Sequence, residues 1–341
     1  MSTQILFIHA LSPLHAGTGL SEGAIELAIA RDRATGFPCL PGSSLKGALR
    51  DRSLPNQAMT RALFGPDPTH ASEHAGGLLF GDANLLLLPM RSLAGTFAWT
   101  TSPFLISRLR RDCAETGLPP PPQPTVSKQN ECLVAKDTLL GVRLAQDAQG
   151  ERVVGEDLDF VPHRGGADEL ARWLAPYLFP GDAFWQKGLR QRLCVVHDDV
   201  MGFLAQHATQ VVARVVLSDD SKTVQNLWHE ESLPTESVLC ALVSAAPTAS
   251  SGMEAAPMME ALAHLVAQPI QLGGKATVGR GRCRLVLSSQ RSEAQEAHEP
   301  AAPRATSAPP PSGGAGGRSG PPHGPGRPGG QGGPKGGGGR R

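Results

Sequence analysis

Four glycines and three basic residues lie close together in the segment Gln271–Arg282. Glycine lets backbone amides approach a phosphate closely, and consecutive N–H groups can form an anion-binding concavity. The segment is not a P-loop, because Lys275 is followed by Ala276 and no GxxxxGK[ST] pattern is present. The same composition is typical of a tight turn before the apolar residues that follow. From these residues alone both interpretations stay open.

A second basic site is predicted near the N-terminus. Ser43 is a suitable N-cap for a short helix over Ser44–Arg52. Lys46 and Arg50 are four residues apart and share one face of this helix, away from its apolar stripe. The helix follows a Pro-Gly turn, so its first amides are available to a phosphate. A solvated basic face is the alternative interpretation.

Carboxylates provide the other candidate chemistry. Glu26 lies in a glycine-bearing N-terminal region, and Glu230 and Glu231 follow Trp228 and His229. Carboxylates beside a phosphodiester can hold a hard divalent cation. Taken in isolation, each is better explained as a solvated surface group. No serine-hydrolase or zinc-protease motif is present, and the few aromatic residues (ten Phe, four Trp, one Tyr) give no sign of the exposed stacking platform that an RRM-type site needs. Any bound RNA would therefore be held through its backbone, without sequence readout.

Charge is distributed unevenly along the chain. The formal net charge is +1, but residues 300–341 carry six basic and no acidic residues, which leaves about −5 on the rest. A field over the whole surface therefore does not attract nucleic acid, and contacts must be local. From about Ser289 the chain is rich in Gly and Pro and poor in large apolar residues, which predicts a disordered basic tail over 289–341.

The six cysteines are scattered with no CxxC pair, which argues against a disulfide framework and a zinc site and favours a reducing cytoplasm. No apolar run approaches the ~20 residues that cross a bilayer, so no membrane partner is expected. No cofactor is expected for folding.

Strand-like and helix-like patterns alternate without the regular rhythm of a doubly wound sheet, which predicts an α+β fold. Valine-rich residues on both sides of Ser218–Lys222 predict a β-hairpin. The predicted elements are strands over Gln4–Leu11, Gly23–Ala30, Leu78–Met90, Val211–Leu217, Thr223–Leu227 and Gly281–Leu287, and helices over Thr101–Cys113, Asp168–Leu178 and Met253–Ala267.

Several of these segments occur in an order that is similar to one family. The chain resembles the RAMP superfamily, and within it the backbone subunits of Cmr-type CRISPR complexes, over nearly all of residues 4–287. The segments that carry the resemblance are Pro13–Gly19, Arg31–Pro38, Pro41–Arg50, Phe80–Trp99, His207–Arg214, Leu227–Pro234 and Leu272–Gly281.

The resemblance implies a ferredoxin-like (RRM-like) palm with inserted subdomains over residues 1–288 and a β-hairpin thumb at about residues 205–228. It implies copies stacked head to tail along a guide RNA (crRNA), together with other type III effector subunits. It also implies that the paired target RNA is cut at regular intervals with Mg or Mn, through attack by a 2′-hydroxyl. The implied guide contacts are His15, Gly17, Gly19, Lys46, Arg50, Gly273, Gly274, Lys275, Gly279, Arg280 and Gly281.

By the same resemblance, Glu26 occupies the place of a catalytic, metal-binding carboxylate that is usually Asp in the family. Glu230 and Glu231 are further catalytic candidates. Their stretch departs from the family's usual Trp-Tyr-Glu-Glu-Tyr-Leu-Pro at His229 and Ser232. Three functions stay open: a backbone subunit that cleaves target RNA, a backbone subunit that only binds, and a metal-independent guide-processing RNase that uses His15 as acid or base.

Overall fold

The computed structural model describes residues 1–19, 25–52, 56–66, 74–143, 150–247 and 252–290. Nearly all of the predicted tail lies outside these residues, so its disorder stays a prediction. Fifteen strands are found among the described residues: β1 Ser2–Ala10, β2 Cys39–Leu40, β3 Leu78–Phe80, β4 Ala83–Arg91, β5 Phe97–Thr101, β6 Glu131–Val134, β7 Gly141–Arg143, β8 Glu151–Gly155, β9 Leu158–Arg164, β10 Leu193–Val196, β11 Gln210–Leu217, β12 Val224–Ser232, β13 Val238–Ala245, β14 Ile270–Gln271 and β15 Arg282–Leu287.

Seven α-helices accompany them in the described ranges: α1 Gly42–Arg50, α2 Gln57–Phe64, α3 Pro103–Thr116, α4 Asp168–Leu178, α5 Ala183–Arg192, α6 Asp198–His207 and α7 Ala255–Val266. This mixture confirms the α+β prediction. No helix in the described part of the chain is long and apolar enough to span a membrane.

One mixed sheet of 13 strands organises these elements, in the order β14-β15-β1-β13-β4-β5-β10-β6-β9-β8-β7. Strand β2 pairs with β4, and β3 pairs with β13. Most neighbours are antiparallel, whereas β5–β10 and β6–β9 are parallel. The hairpin β11–β12 forms a separate two-stranded sheet, which confirms the predicted hairpin.

Strand β1 lies in the interior of the large sheet, between β13 and β15. Successive side chains of a strand point to opposite faces, so a strand that is covered on both faces must be apolar throughout. Leu6 and Ile8 enter one hydrophobic cluster with α1 and α7, while Ile5 and Phe7 enter another with α3 and α4. The uninterrupted apolar run of β1 thus reflects a layer of helices on each side.

Two sequence predictions about local structure are wrong. Residues 25–30 of the predicted strand Gly23–Ala30 make only isolated bridges, among them Gly17–Ile29 and Leu27–Glu230. Residues 20–24 lie outside the described part. Helix α1 begins at Gly42 and not after Ser43. The cap residue is Pro41, whose side chain makes no capping hydrogen bond. Gly42 N–H donates instead to Asp82 Oδ1 at 2.7 Å, a partner 40 residues away that local pattern does not reveal.

Candidate RNA-binding groove and carboxylate site

Three segments that are far apart in sequence line one groove of about 720 Å³, which we call the glycine groove. The N-terminal segment contributes Gly17, helix α1 contributes Gly47, and the loop before β15 contributes Gly273 and Gly274. Glycines, which have no side chain to keep a ligand away from the backbone, thus border the groove on three sides, and this suits the close approach of a phosphate-sugar chain. Arg52 also lines the groove, and its guanidinium donates hydrogen bonds to the Leu265 and Gln268 carbonyls. Sequence patterns did not single out this residue.

Glycine is required on the loop side of this groove. Gly273 has φ +70°, and a Cβ there would lie 2.3 Å from the carbonyl oxygen of His15. The N–H of Gly274 donates to the same oxygen at 2.9 Å. Gly281 has φ +79°, and its Cβ would lie 2.0 Å from the Leu272 carbonyl oxygen. The Gly273 and Gly274 contacts, with a hydrogen bond from the N–H of Gly281 to the Pro13 carbonyl at 2.8 Å, hold the loop against the N-terminal segment, so both glycine-bearing stretches act as one surface.

Gly19 and Gly279 differ from these glycines. Both have positive φ, +74° and +77°, but a Cβ at either position would meet no atom within 4 Å. Their glycine identity is therefore explained by backbone conformation and not by close approach.

The basic residues of helix α1 lie outside the groove lining. Arg50 is half-buried and donates from Nη1 to the Pro66 carbonyl at 2.7 Å, so it has a structural role. Lys46 is also half-buried, and burial together with the nearby Arg50 charge lowers the pKa of its ammonium. The predicted shared face is present, but it is not the freely solvated surface that the alternative interpretation assumed.

The basic residues of the glycine-rich loop are tied to the hairpin. Lys275 Nζ lies 2.9 Å from Glu230 Oε1. Arg280 is 6% exposed and donates from Nη1 to Ser232 Oγ at 2.5 Å. Ser232, one of the two departures from the family's usual stretch, therefore anchors an arginine of the loop.

Glu230 and Glu231 belong to strand β12, which continues to Ser232, whereas the sequence predicted this strand to end at Leu227. Glu230 is 3% exposed and Glu231 is 2% exposed. Burial disfavours ionisation of Glu230, but hydrogen bonds from Lys275, Trp228 and Arg214 outweigh it and lower its pKa from 4.5 to about 2. Solvated surface is thus the wrong interpretation for both carboxylates.

Glu231 joins three segments of the chain. Its Oε1 accepts from Arg31 Nη2 at 2.5 Å and from Thr209 Oγ1 at 2.8 Å. Its Oε2 accepts from the N–H of Ile29 at 3.1 Å. These three hydrogen bonds tie strand β12 to the segment of Ile29 and Arg31 and to Thr209, so the carboxylate has a bracing role.

Glu26 is the exposed carboxylate of the three, and the structure places it beside the hairpin. Its Oε2 accepts from the backbone N–H of His229 at 2.7 Å and lies 3.6 Å from His229 Nδ1. The backbone hydrogen bond lowers the pKa of Glu26. Hydrogen bonds between Leu27 and residues 229 and 231 hold the segment in place. Glu26 is therefore an ionised, accessible acceptor at neutral pH.

No set of three His, Cys, Asp or Glu side chains in the described ranges could hold a metal ion together. Mg²⁺ commonly takes only one or two protein carboxylates and completes its shell with phosphate oxygens and water. Among the described residues, the exposed carboxylate of Glu26 is the donor that fits such a site.

The fold thus brings His15, Gly17, Gly273 and Gly274 together, and it brings Glu26 next to β12. His15 itself is buried, and its Nδ1 lies 2.7 Å from the carbonyl oxygen of Glu231. His229 was missed as a neighbour of Glu26. The sequence marked His229 as a departure from the Tyr that is usual in the family. It did not reveal the contact with Glu26, because the two residues are 203 positions apart.

Known proteins resemble this chain in sequence and in fold. A family model described as the RAMP superfamily matches residues 7–284. A curated relative, the CRISPR system Cmr endoribonuclease Cmr4 of Pyrococcus furiosus, is 28% identical over 296 residues, which span 84% of this chain and 96% of the relative.

Solved structures show the same fold. The crystal structure of oligomeric Cmr4 from Pyrococcus furiosus is similar with a TM-score of 0.62 and 22% identity, covering 84% of this chain and 98% of that one. A chain in the cryo-EM structure of the type III-B Cmr-beta complex bound to cognate target RNA is similar with a TM-score of 0.65 and 20% identity, covering 86% and 99%.

Proposed function

Because the chain belongs to the RAMP superfamily, we propose that it is a guide-RNA-binding backbone subunit of a type III (Cmr-type) CRISPR effector complex that cleaves the paired target RNA. The observation that carries the proposal is the glycine groove, in which three distant segments expose backbone on one surface. In this proposal the large sheet with its helices is the ferredoxin-like palm. The hairpin β11–β12 is the thumb.

Guide binding follows from the composition of the groove. A chain whose residues 1–299 carry about −5 net charge has no long-range attraction for RNA, so affinity must come from close contacts. Contacts to phosphates and sugars hold an RNA without reading its bases. One guide RNA of any sequence can therefore lie across the palm, and further copies of the chain can continue along it.

A matched pair of glycine substitutions tests this binding. Gly47 lies in α1 and lines the groove, and a Cβ there meets nothing within 4 Å. We expect Gly47→Glu to fold normally, since Glu is a better helix former than Gly, and to lower guide affinity at least tenfold through repulsion of phosphates. Gly188→Glu adds the same charge in α5, where the Cβ has only an ordinary contact at 3.7 Å, and should bind like wild type.

Equal guide affinities of the two glutamate variants would contradict the groove assignment. Circular dichroism and thermal unfolding of both full-length variants confirm that any difference arises in binding. RNA that co-purifies with the native complex should contain repeat-tagged spacer sequences, and their absence would exclude the CRISPR role. The same preparation should contain further copies of the chain and other effector subunits.

Cleavage is proposed at Glu26. In this reaction the 2′-oxygen of one target nucleotide forms a bond to the adjacent phosphorus, and the bond to the 5′-oxygen of the next nucleotide breaks. Glu26, ionised and beside the hairpin, accepts the hydrogen bond of the attacking 2′-hydroxyl and orients it, while water takes up the proton of that hydroxyl and protonates the leaving 5′-oxygen. The products are a 2′,3′-cyclic phosphate and a 5′-hydroxyl.

A divalent ion, Mg or Mn, is part of the proposal. Glu26 would provide its one protein carboxylate and RNA phosphates most of the rest, and the ion would stabilise the charge that develops on the phosphate. Loss of cleavage on addition of EDTA would support this requirement for a divalent ion. Cleavage that persists in EDTA would favour the metal-independent guide-processing RNase, for which the deep burial of His15 is a poor starting point.

Glu26→Gln should abolish cleavage and leave guide and target binding close to wild type, because the amide keeps the size of the side chain but loses its charge. Glu26→Asp should be at least as active as wild type, since Asp is the residue usual in the family. The assay uses reconstituted full-length chain, guide and labelled complementary RNA. Binding without cleavage by wild type and both variants would indicate a backbone subunit that only binds.

A further inference from the structure

Trp228 lies outside the hydrophobic core. The other tryptophans of the described ranges, Trp99, Trp173 and Trp185, belong to or pack against the hydrophobic cluster that contains α3 and α4. Trp228 lies on strand β12 of the hairpin, is half-buried, and is part of neither hydrophobic cluster. A large indole ring that keeps apolar surface in water without packing in a core is typical of a binding surface.

A hydrogen bond fixes the orientation of this indole ring. Trp228 Nε1 donates to Glu230 Oε1 at 2.9 Å. Glu230 is two positions further along β12, so both side chains point to the same face of the hairpin, and Arg214 lies directly opposite Trp228 on β11. Because the N–H at the edge of the ring is occupied, the part of the ring that remains for a ligand is its π face.

Two cations share the carboxylate that holds the ring. Lys275 Nζ lies 2.9 Å from the same Oε1, and Arg214 Nε lies 3.3 Å from Oε2. Two positive charges against one carboxylate leave the site positive, and the side chains of Arg214 and Lys275 are 38% and 33% exposed. Lys275 directly follows Gly274, which lines the glycine groove, so the indole ring adjoins the proposed path of the guide.

An aromatic ring beside cations is the arrangement that binds a nucleobase together with its phosphates. We propose that Trp228 is a stacking site for an unpaired nucleobase of the RNA bound to this chain. Bases within a duplex stack on one another, so a base must leave the duplex to reach the ring. Every base has a π face, so this contact is compatible with guides of any sequence.

This inference rests on the proposed RNA binding and adds to it a contact with a base. The glycine groove suits phosphates and sugars, which are present in paired and unpaired RNA alike. A stacking ring on the hairpin would instead favour RNA with a base turned out of the duplex. The base could come from the guide or from the target, because both strands offer the same π face.

Photocrosslinking identifies the contact and its strand. 5-Bromouridine forms a crosslink, on ultraviolet irradiation, to an aromatic side chain on which it stacks. It is placed in the guide in one sample and in the complementary target in another, each with full-length wild-type chain, and the crosslinked peptide is identified by mass spectrometry. We expect a crosslink to Trp228 from one of the strands. Absence of this crosslink from both strands, with guide and target bound, would overturn the inference.

Two substitutions of Trp228 separate stacking from support of the hairpin. Trp228→Phe keeps a stacking ring but loses the N–H that bonds Glu230, whereas Trp228→Ala loses both. We expect Trp228→Phe to bind the crosslinking strand close to wild type and Trp228→Ala to bind it at least about fivefold more weakly. When stable abasic residues replace the nucleotides that crosslink, Trp228→Ala and wild type should bind equally. Phe184→Ala removes an aromatic side chain that is 78% exposed in α5, and should behave like wild type.

Equal losses of affinity in Trp228→Phe and Trp228→Ala would assign the residue to support of the hairpin and overturn the stacking role, while leaving the proposed function intact. The same conclusion would follow if Trp228→Ala weakened binding of the abasic strand as much as that of the normal strand. No binding of guide RNA by the wild-type chain would instead refute the proposed function itself.

Discussion

Replacing Glu231 with Ala should destabilise the whole fold and not only impair RNA cleavage. The carboxylate is 2% exposed and accepts three hydrogen bonds, from Arg31, Thr209 and the N–H of Ile29. Arg31, whose side chain is 15% exposed, would lose its carboxylate and keep only its bonds to the Gly36 and Ala205 carbonyls. Leaving such a charge without its partner costs about 3–5 kcal/mol.

That loss is large against the total stability of about 5–15 kcal/mol that is typical of a folded protein. The assay is denaturant unfolding of the full-length chain. Glu131→Ala is the matched control, because the side chains that Glu131 pairs with, Lys128 and His163, are 70% and 51% exposed. Such exposed pairs contribute about 0–1 kcal/mol. The melting temperature of Glu231→Ala should fall by roughly 6–10 °C, at about 2 °C per kcal/mol for a chain of this size.

If Glu231→Ala lowered the free energy of unfolding by no more than about 1 kcal/mol beyond the control variant, the bracing role of Glu231 would be refuted. If such a stable variant also bound guide and target normally but cut no RNA, Glu231 would be catalytic. An unstable variant with wild-type cleavage at low temperature would support the bracing role alone.

Two further perturbations test other parts of the structure. The pKa of Glu230 falls from 4.5 in the unfolded chain to about 2 in the fold, so its contribution to stability is complete above about pH 4.5 and is lost as the pH falls toward 2. In urea unfolding, Glu230→Gln should therefore be less stable than wild type at pH 7, and this difference in the free energy of unfolding should shrink as the pH is lowered through this range. A difference that stays constant with pH would contradict the prediction. Truncation after Gln290 should leave the melting temperature unchanged, because the removed residues have a composition that does not pack. Truncation after Leu287 should lower the melting temperature, because it removes the two hydrogen bonds between Ser288 and Ile5, one from the N–H of Ile5 to Ser288 Oγ and one from the N–H of Ser288 to the Ile5 carbonyl.

Much of the fold follows from local pattern. The apolar run of β1, the hairpin turn at Ser218–Lys222 and the amphipathic repeat of α4 are each set by neighbours within a few residues, and the structure has all three. The glycines at 273 and 281 were also readable as special positions, because so few residue types tolerate positive φ.

Contacts between distant segments decided the rest. Glu26 meets His229 across 203 residues, and Lys275 meets Glu230 across 45. A carboxylate looks the same in sequence whether it is solvated or buried against two cations, and only the surrounding atoms set its role. The sequence therefore predicted which residue types form the site. Their division into an exposed acceptor at Glu26 and buried braces at Glu230 and Glu231 was decided by the tertiary structure, because burial and hydrogen bonding depend on chain segments that no local pattern brings together.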